Sequence, residues 1–330
     1  MKQKKYTRLI IVFLCLCLLT SCKKDVGTDE DNAVPANTDD VTEENYTFGF
    51  SGMTMELPFY ITLEAAIREV IENSGSTMIT KDPALDSELQ ISQINEMIEA
   101  GIDVIFLSPV DWEGILPALE ALKNADVKIV NVDSHIKDTK YADAYIGSDN
   151  KNAGYLCGED LINKCPDGGK VVILESSNTN SVVERITGFE EALAKAANGF
   201  TISVRRDVEG DLNLALQAAK DIFAKEEDIV AVMCGNDQSA LGALAAANEA
   251  DLKDILIYGV DGSPDLKKEL DKPGTLIAGT AAQSPLNMGR EAANIGLAMM
   301  RGEKYEKETY TDVFFIDKKN LELYGTDGWQ

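Results

Sequence analysis

One histidine, two tryptophans and three cysteines beyond residue 22 are all that this 330-residue chain offers for many kinds of side-chain chemistry. The lone histidine, His135, cannot by itself assemble a transition-metal site, and it has no obvious Ser or Cys nucleophile partner. No CxxC pair occurs, which argues against structural zinc. Cys157, Cys165 and Cys234 are odd in number and imply no disulfide framework. Cys157 and Cys165 fall eight residues apart on one predicted helix, about 12 Å along its axis and beyond disulfide reach. All three read as small buried apolar residues. No GxGxxG opens a helix after the first strand, and neither a P-loop nor a GxSxG elbow is present. An enzyme, a resident cofactor and a metal are therefore not expected. Basic clusters are missing too. Outside the first 21 residues, 27 cations face 56 acids, which excludes phosphate-backbone binding and hence a nucleic-acid partner. The acidity is read as a source of solubility.

What is present begins with a basic stretch, MKQKKYTR, and an apolar run of eleven residues, Leu9 to Leu19. Eleven helical residues reach roughly 16 Å, short of a bilayer core of about 30 Å. The run is expected to be a secretory signal, residues 1–21. The LTSC that follows resembles the lipobox of bacterial lipoproteins, which implies lipidation of Cys22 and membrane attachment through it. Residues 23–45 carry eight acids and almost nothing large and apolar. With the anchor they form an expected disordered tether, 22–45, spanning about 25–30 Å.

From Tyr46 onward, apolar runs alternate with helical patterns of 12 to 18 residues. VVIL, IVAVM and ILIYGV are continuously apolar and β-branched, as strands covered on both faces should be. Strict alternation argues for βαβ units and parallel sheets. About ten such units exceed one sheet, so the expected fold is α/β with two doubly wound lobes. Three Ser-Pro pairs, at Ser108, Ser263 and Ser284, follow strands directly and are read as helix N-caps with Pro at the first helical position. They mark the carboxyl ends of strands, where open α/β sheets bind ligands.

Polar and aromatic residues recur at those ends: Phe59 and Tyr60, Trp112, Asp133-Ser134-His135, Asn178 and Arg185, Asn236-Asp237, Asp261 and Gln283. Carboxylates and amides can pair with vicinal hydroxyls, Arg donates in a fork, and rings stack on C–H faces. Singly, each is as well explained by a cap or a turn. Repeated at strand after strand, they suit a neutral polyhydroxylated ligand. Trp112 and His135 are kept as possible ligand neighbours, with packing or a loop position as the alternative. Asp237 is read as a cap or a support behind Asn236.

The stretches PFY, SPVD, IVNVDS, GSDNKNAG, RITGF, GNDQSALGA, YGVDGSPD and GTAAQSP, taken in order, resemble the sugar-binding branch of the type I periplasmic binding proteins, the ribose-binding proteins and their relatives. The resemblance covers about residues 46–320. It implies a first lobe of 46–147 plus 284–312 and a second of 148–283 plus 313–330. Three crossings would join them near Gly147–Asn150, Gly279–Gln283 and Tyr310–Val313. It further implies that Phe59 and Tyr60 sandwich a sugar, and that Asp133, Arg185, Asn236, Asp261 and Gln283 hydrogen-bond it. The pattern departs at Leu57, where those proteins carry Asn, and at Ser134, where they carry Arg. A second-lobe aromatic is replaced near Gly210. These departures point away from ribose itself and leave a monosaccharide or sugar-like polyol.

The function so implied is a monomeric, extracytoplasmic, lipid-anchored receptor that delivers its sugar to the permease of an ABC importer. A rival is a sensor passing a sugar or furanose-type signal to a membrane histidine kinase. A LacI-type repressor is not expected, because a signal and an acidic tether, not a helix-turn-helix, precede Tyr46.

Overall fold

A computed structural model describes residues 45–197 and 199–330. The signal, Cys22 and the tether up to residue 44 lie outside the described residues.

The first lobe runs β1 (Thr47–Ser51), α1 (Pro58–Asn73), β2 (Thr77–Lys81), α2 (Ser87–Glu99), β3 (Val104–Leu107), α3 (Leu116–Asn124), β4 (Lys128–Val132) and β5 (Ala144–Ser148). The second runs α4 (Asn150–Lys164), β6 (Gly169–Glu175), α5 (Asn180–Leu193), β7 (Phe200–Asp207), α6 (Leu212–Phe223), β8 (Ile229–Cys234), α7 (Asp237–Glu249), β9 (Leu256–Asp261), α8 (Pro264–Asp271) and β10 (Ile277–Ala282). The chain returns to the first lobe for α9 (Pro285–Arg301) and β11 (Glu308–Thr311), then to the second for β12 (Phe314–Ile316) and α10 (Leu321–Tyr324).

Each lobe is built on a six-stranded sheet, in the orders β11-β5-β4-β3-β1-β2 and β12-β10-β9-β8-β6-β7. All pairings are parallel except β10 with β12. The alternation of apolar runs and amphipathic segments therefore produces the two doubly wound lobes expected of it. In both sheets the strand order reverses beside the first strand of the lobe, between β1 and β3 and between β6 and β8. Such switch points open a crevice at the carboxyl ends, where ligands bind. Phe48, Phe50 and Phe106 are fully buried in the first lobe, with Phe48 and Phe106 stacked at 5.6 Å. Cys157 and Cys234 are buried in the second lobe and Cys165 is partly so.

The chain passes between lobes at Asp149, at Gln283–Ser284 and at Asp312–Val313. β10 stays paired with β9 through Ala282, so the second crossing comes at the end of the Gly279–Gln283 stretch. Residues 313–330 also divide, contrary to their assignment to the second lobe. Leu321 packs in a second-lobe core, whereas the indole of Trp329 packs against the first-lobe core.

Of the Ser-Pro pairs, Ser263 and Ser284 cap α8 and α9 by accepting from the amides of Leu266 and Asn287. Ser108 does not cap a helix. Asp111 captures the amides of Glu113 and Gly114 in a turn, and α3 begins only at Leu116.

Candidate functional site

Two close approaches between helices fix the second-lobe half of the site. A Cβ built on Gly154 of α4 would lie 1.7 Å from the carbonyl oxygen of Arg185, and one on Gly188 of α5 would lie 1.8 Å from that of Lys151. Only glycine lets these backbones touch, which is why NKNAG and RITGF carry it. The contact brings Asn150 against Arg185. The guanidinium donates Nε to Asn150 Oδ1 at 2.8 Å and Nη1 to the Gly235 carbonyl at 2.7 Å, and Nη1 lies 3.5 Å from Asp261 Oδ1. It is 4 % exposed.

Asp261 ends β9 at φ +141°, and Asp133 follows β4 at φ +62°. Both carboxylates of the site thus sit on backbone that costs about 1–3 kcal/mol to hold, a kind of strain that clusters at ligand clamps. The surroundings maintain it. The Asp133 amide donates to Ile146 and its carbonyl accepts the Tyr145 hydroxyl, while the Asp261 carbonyl accepts the Gln283 amide. Gln283 Nε2 also donates to Asp261 Oδ1 at 2.8 Å.

Tyr60, set at the start of α1 by Pro58, gives its single proton to Asp133 Oδ2 at 2.7 Å. A phenol has one proton, so Ser108 is the donor in the 2.9 Å bond between the two hydroxyls. Asn236 caps α7 by accepting from Ser239 and donates Nδ2 to the Gly210 carbonyl at 3.0 Å.

These elements enclose a cavity of about 40 Å³ lined by Phe59, Tyr60, Asp133, Arg185, Asn236, Asp261 and Gln283, with Leu57 and Gly210 among the others. That is well short of the about 300–1,000 Å³ of small-molecule sites, so a sugar-sized ligand needs the lining to part before it can enter. Two buried acceptors at this space have no partner, Asp133 Oδ1 and Gln283 Oε1. An orphaned buried acceptor costs about 1–3 kcal/mol. The cavity wants hydrogen-bond donors from whatever fills it.

Phe59 and Tyr60 meet edge to face at 89°, centroids 5.4 Å apart. They do not form the two slices of a sandwich, because the Tyr60 hydroxyl is held on Asp133 and turns that ring on edge to its neighbour.

Five residues proposed from sequence, Asn178 among them, stand outside the cavity lining. Ser134 accepts the Ser181 amide at 3.3 Å through its hydroxyl. Trp112 donates its main-chain amide to the Asn178 carbonyl at 3.1 Å, while its ring lies under the Lys137 ammonium. Both therefore join lobe to lobe rather than protein to ligand. His135 stacks on Tyr145 at 3.5 Å beside β11, and burial lowers its basicity. Asp237 is fully buried and accepts from the Ser263 amide and the Thr280 hydroxyl, which fixes the turn after Asp261. Sequence reasoning passed over Gln90, whose buried amide ties Ser51, Gly52, Ser108 and Val110 together. A lone glutamine within a helix gives no signal of such a role. Among the described residues, no group of His, Cys, Asp or Glu is arranged to hold a metal ion.

Burial raises the carboxyl groups of Asp133, Asp237 and Asp261, opposed in each by Arg185. Asp261 is pushed up to about 8. The folded protein then holds a proton on Asp261 that the unfolded chain releases near pH 4. Its contribution to stability is complete below that pH and is lost as pH rises through about 8. The melting temperature of the ligand-free protein is expected to fall between pH 5 and 8, and Asp261→Asn should flatten that slope. An unchanged slope in the variant would remove Asp261 as its source.

A two-lobed α/β protein with a polar crevice at the carboxyl ends of its strands is the class this fold and site define. The chain matches the family model described as periplasmic binding protein domain over residues 48–304. Its relatives include the ribose import binding protein RbsB of Bacillus subtilis, 28 % identical over 90 % of this chain and 94 % of the relative. The galactofuranose-binding protein YtfQ of Escherichia coli is 31 % identical over 68 % of this chain and 73 % of that protein. Among solved structures, an ABC transporter solute-binding protein of Mycobacterium smegmatis with bound glycerol superposes with a TM-score of 0.81. It is 28 % identical, covering 87 % of this chain and 100 % of that one. The chain belongs to the periplasmic binding protein domain family, in its type I sugar-binding branch.

Proposed function

We propose that this protein captures a monosaccharide or sugar-like polyol between its lobes and hands it to the permease of an ABC importer. The observation that carries the reading is the pair of unpartnered acceptors, Asp133 Oδ1 and Gln283 Oε1, in a cavity that also holds Arg185 and two aromatic rings. Vicinal hydroxyls supply donors for the former and acceptors for the latter. A cationic ligand would meet Arg185 head on, and a large apolar one would leave the acceptors orphaned.

The relatives' names support a sugar: ribose for one and galactofuranose for another. The solved relative with glycerol is named as part of an ABC transporter. The protein works outside the cytoplasm, secreted by its leader and held at the membrane by lipid on Cys22. Ligand enters between parted lobes, and the contacts of Trp112 with Asn178 and of Ser134 with Ser181 form as they close. The closed form then presents the permease with a surface that the open form lacks.

Calorimetry of the 45–330 domain against D-ribose, a methyl galactofuranoside, myo-inositol, glycerol and the common amino acids tests the reading. At least one polyol is expected to bind at micromolar strength, about −8 kcal/mol. Heat from amino acids alone would overturn it.

A further inference from the structure

Besides the three chain crossings, residues 328–330 make a non-covalent link between the lobes. On the second lobe the link is tied to Lys267 of α8, which is fully buried. Its ammonium donates to the Gly328 carbonyl at 2.6 Å and to Gln330 Oε1 at 2.8 Å. Both acceptors are neutral, and burial makes Lys267 less basic. Asp237 and Asp327 oppose that shift with their charge, but the buried ammonium takes its direct solvation from these neutral oxygens, so the segment is held firmly. Gln330 Nε2 adds a bond to the Tyr324 carbonyl at 3.3 Å. On the first lobe, the Ser284 hydroxyl, at the N-cap of α9, donates to the main-chain oxygen of Gln330. The indole of Trp329 meets the Phe59 ring edge to face, 6.0 Å away at 76°. Phe59 is itself a wall of the ligand cavity.

We infer that Trp329 is a positioning residue for ligand binding, a brace laid from Lys267 across to Phe59 that sets the Phe59 ring and holds the lobes together over the bound polyol. The inference rests on the proposed function for its ligand, though not for its geometry. Edge-to-face pairs prefer a defined angle, so the indole fixes the plane that Phe59 shows to the cavity. Opening the lobes must either pull Trp329 off Phe59 or break the segment from Lys267. The brace therefore acts mainly on the rate at which ligand leaves.

Two measurements test it. In a Trp112→Phe background, Trp329 is the only tryptophan left in the chain. Without any ligand its emission should be blue-shifted and protected from iodide, and Lys267→Met should expose it. Emission like that of free tryptophan in the Trp112→Phe protein overturns the brace, whatever the protein binds. The second measurement takes whichever of D-ribose, methyl galactofuranoside, myo-inositol or glycerol binds the unmodified protein. Trp329→Ala should weaken that binding about tenfold or more, chiefly through faster dissociation, and Trp329→Phe should restore it to within about threefold. In a Phe59→Ala background, Trp329→Ala should add little. Equal losses in both backgrounds would reduce Trp329 to a structural contact and overturn the positioning role. If none of the four polyols binds, the proposed ligand class fails while the fluorescence result still decides on the brace.

Discussion

Arg185→Met should abolish measurable ligand binding, with a loss of at least about a hundredfold. The guanidinium is shared among Asn150, Gly235 and Asp261, and Asp133 and Asp237 also feel its charge. Losing the charged donor leaves Asn150 Oδ1 and the Gly235 carbonyl orphaned, at about 1–3 kcal/mol each, and each 1.4 kcal/mol is about a factor of ten. The stability loss should change little between pH 5 and 7, where Asp261 already holds its proton, and grow as pH rises through about 8, where Arg185 becomes its counter-charge. Adding Asp261→Asn should recover part of the melting temperature and none of the binding. Calorimetry and thermal melts from pH 5 to 8 check both. Retained affinity in Arg185→Met would mean that the guanidinium is a scaffold and not a ligand contact.

Gly154→Ala is expected to be the most damaging small substitution in the second lobe. Its new methyl would meet main chain, the Arg185 carbonyl at 1.7 Å and its carbon at 2.5 Å, and main chain cannot rotate aside. The α4 and α5 helices must part by more than an ångström. Overpacking typically costs about 1–3 kcal/mol and more where the neighbours are rigid, so a loss at or above about 3 kcal/mol is expected in denaturant titration. Because Arg185 moves with α5, affinity should fall with stability. Gly199→Ala is the control, since a Cβ there meets nothing within 4 Å. Similar melts for the two variants would show that the helices can shift freely.

The lobes were legible because buried parallel strands such as VVIL leave a continuous apolar signature between amphipathic segments. Asp133, Asn236, Asp261 and Gln283 were legible because each ends or follows a strand, and topology gathers strand ends; Arg185 lies within α5 and was marked by the RITGF stretch. Residues a turn further along were not. Trp112 and His135 hold the right position in the chain, yet where a side chain points depends on local turns. Asp111 curls its loop, and the Tyr145 ring captures the imidazole. Ser108 looked like a cap and serves as the hydroxyl behind Tyr60, because one Ser-Pro pair reads like another. Trp329 lies 270 residues from Phe59 in the numbering, and no periodicity joins positions so far apart.

The backbone at Asp133 and Asp261 has one more consequence. Both chain angles fall where side chains branched at Cβ are poorly tolerated, while asparagine and glycine fit with little added cost. A lineage that shifts from one ligand to another therefore has a narrow vocabulary at its two acidic positions. Novelty must be written on ordinary helical or extended backbone, at places such as Leu57, where the alphabet is open.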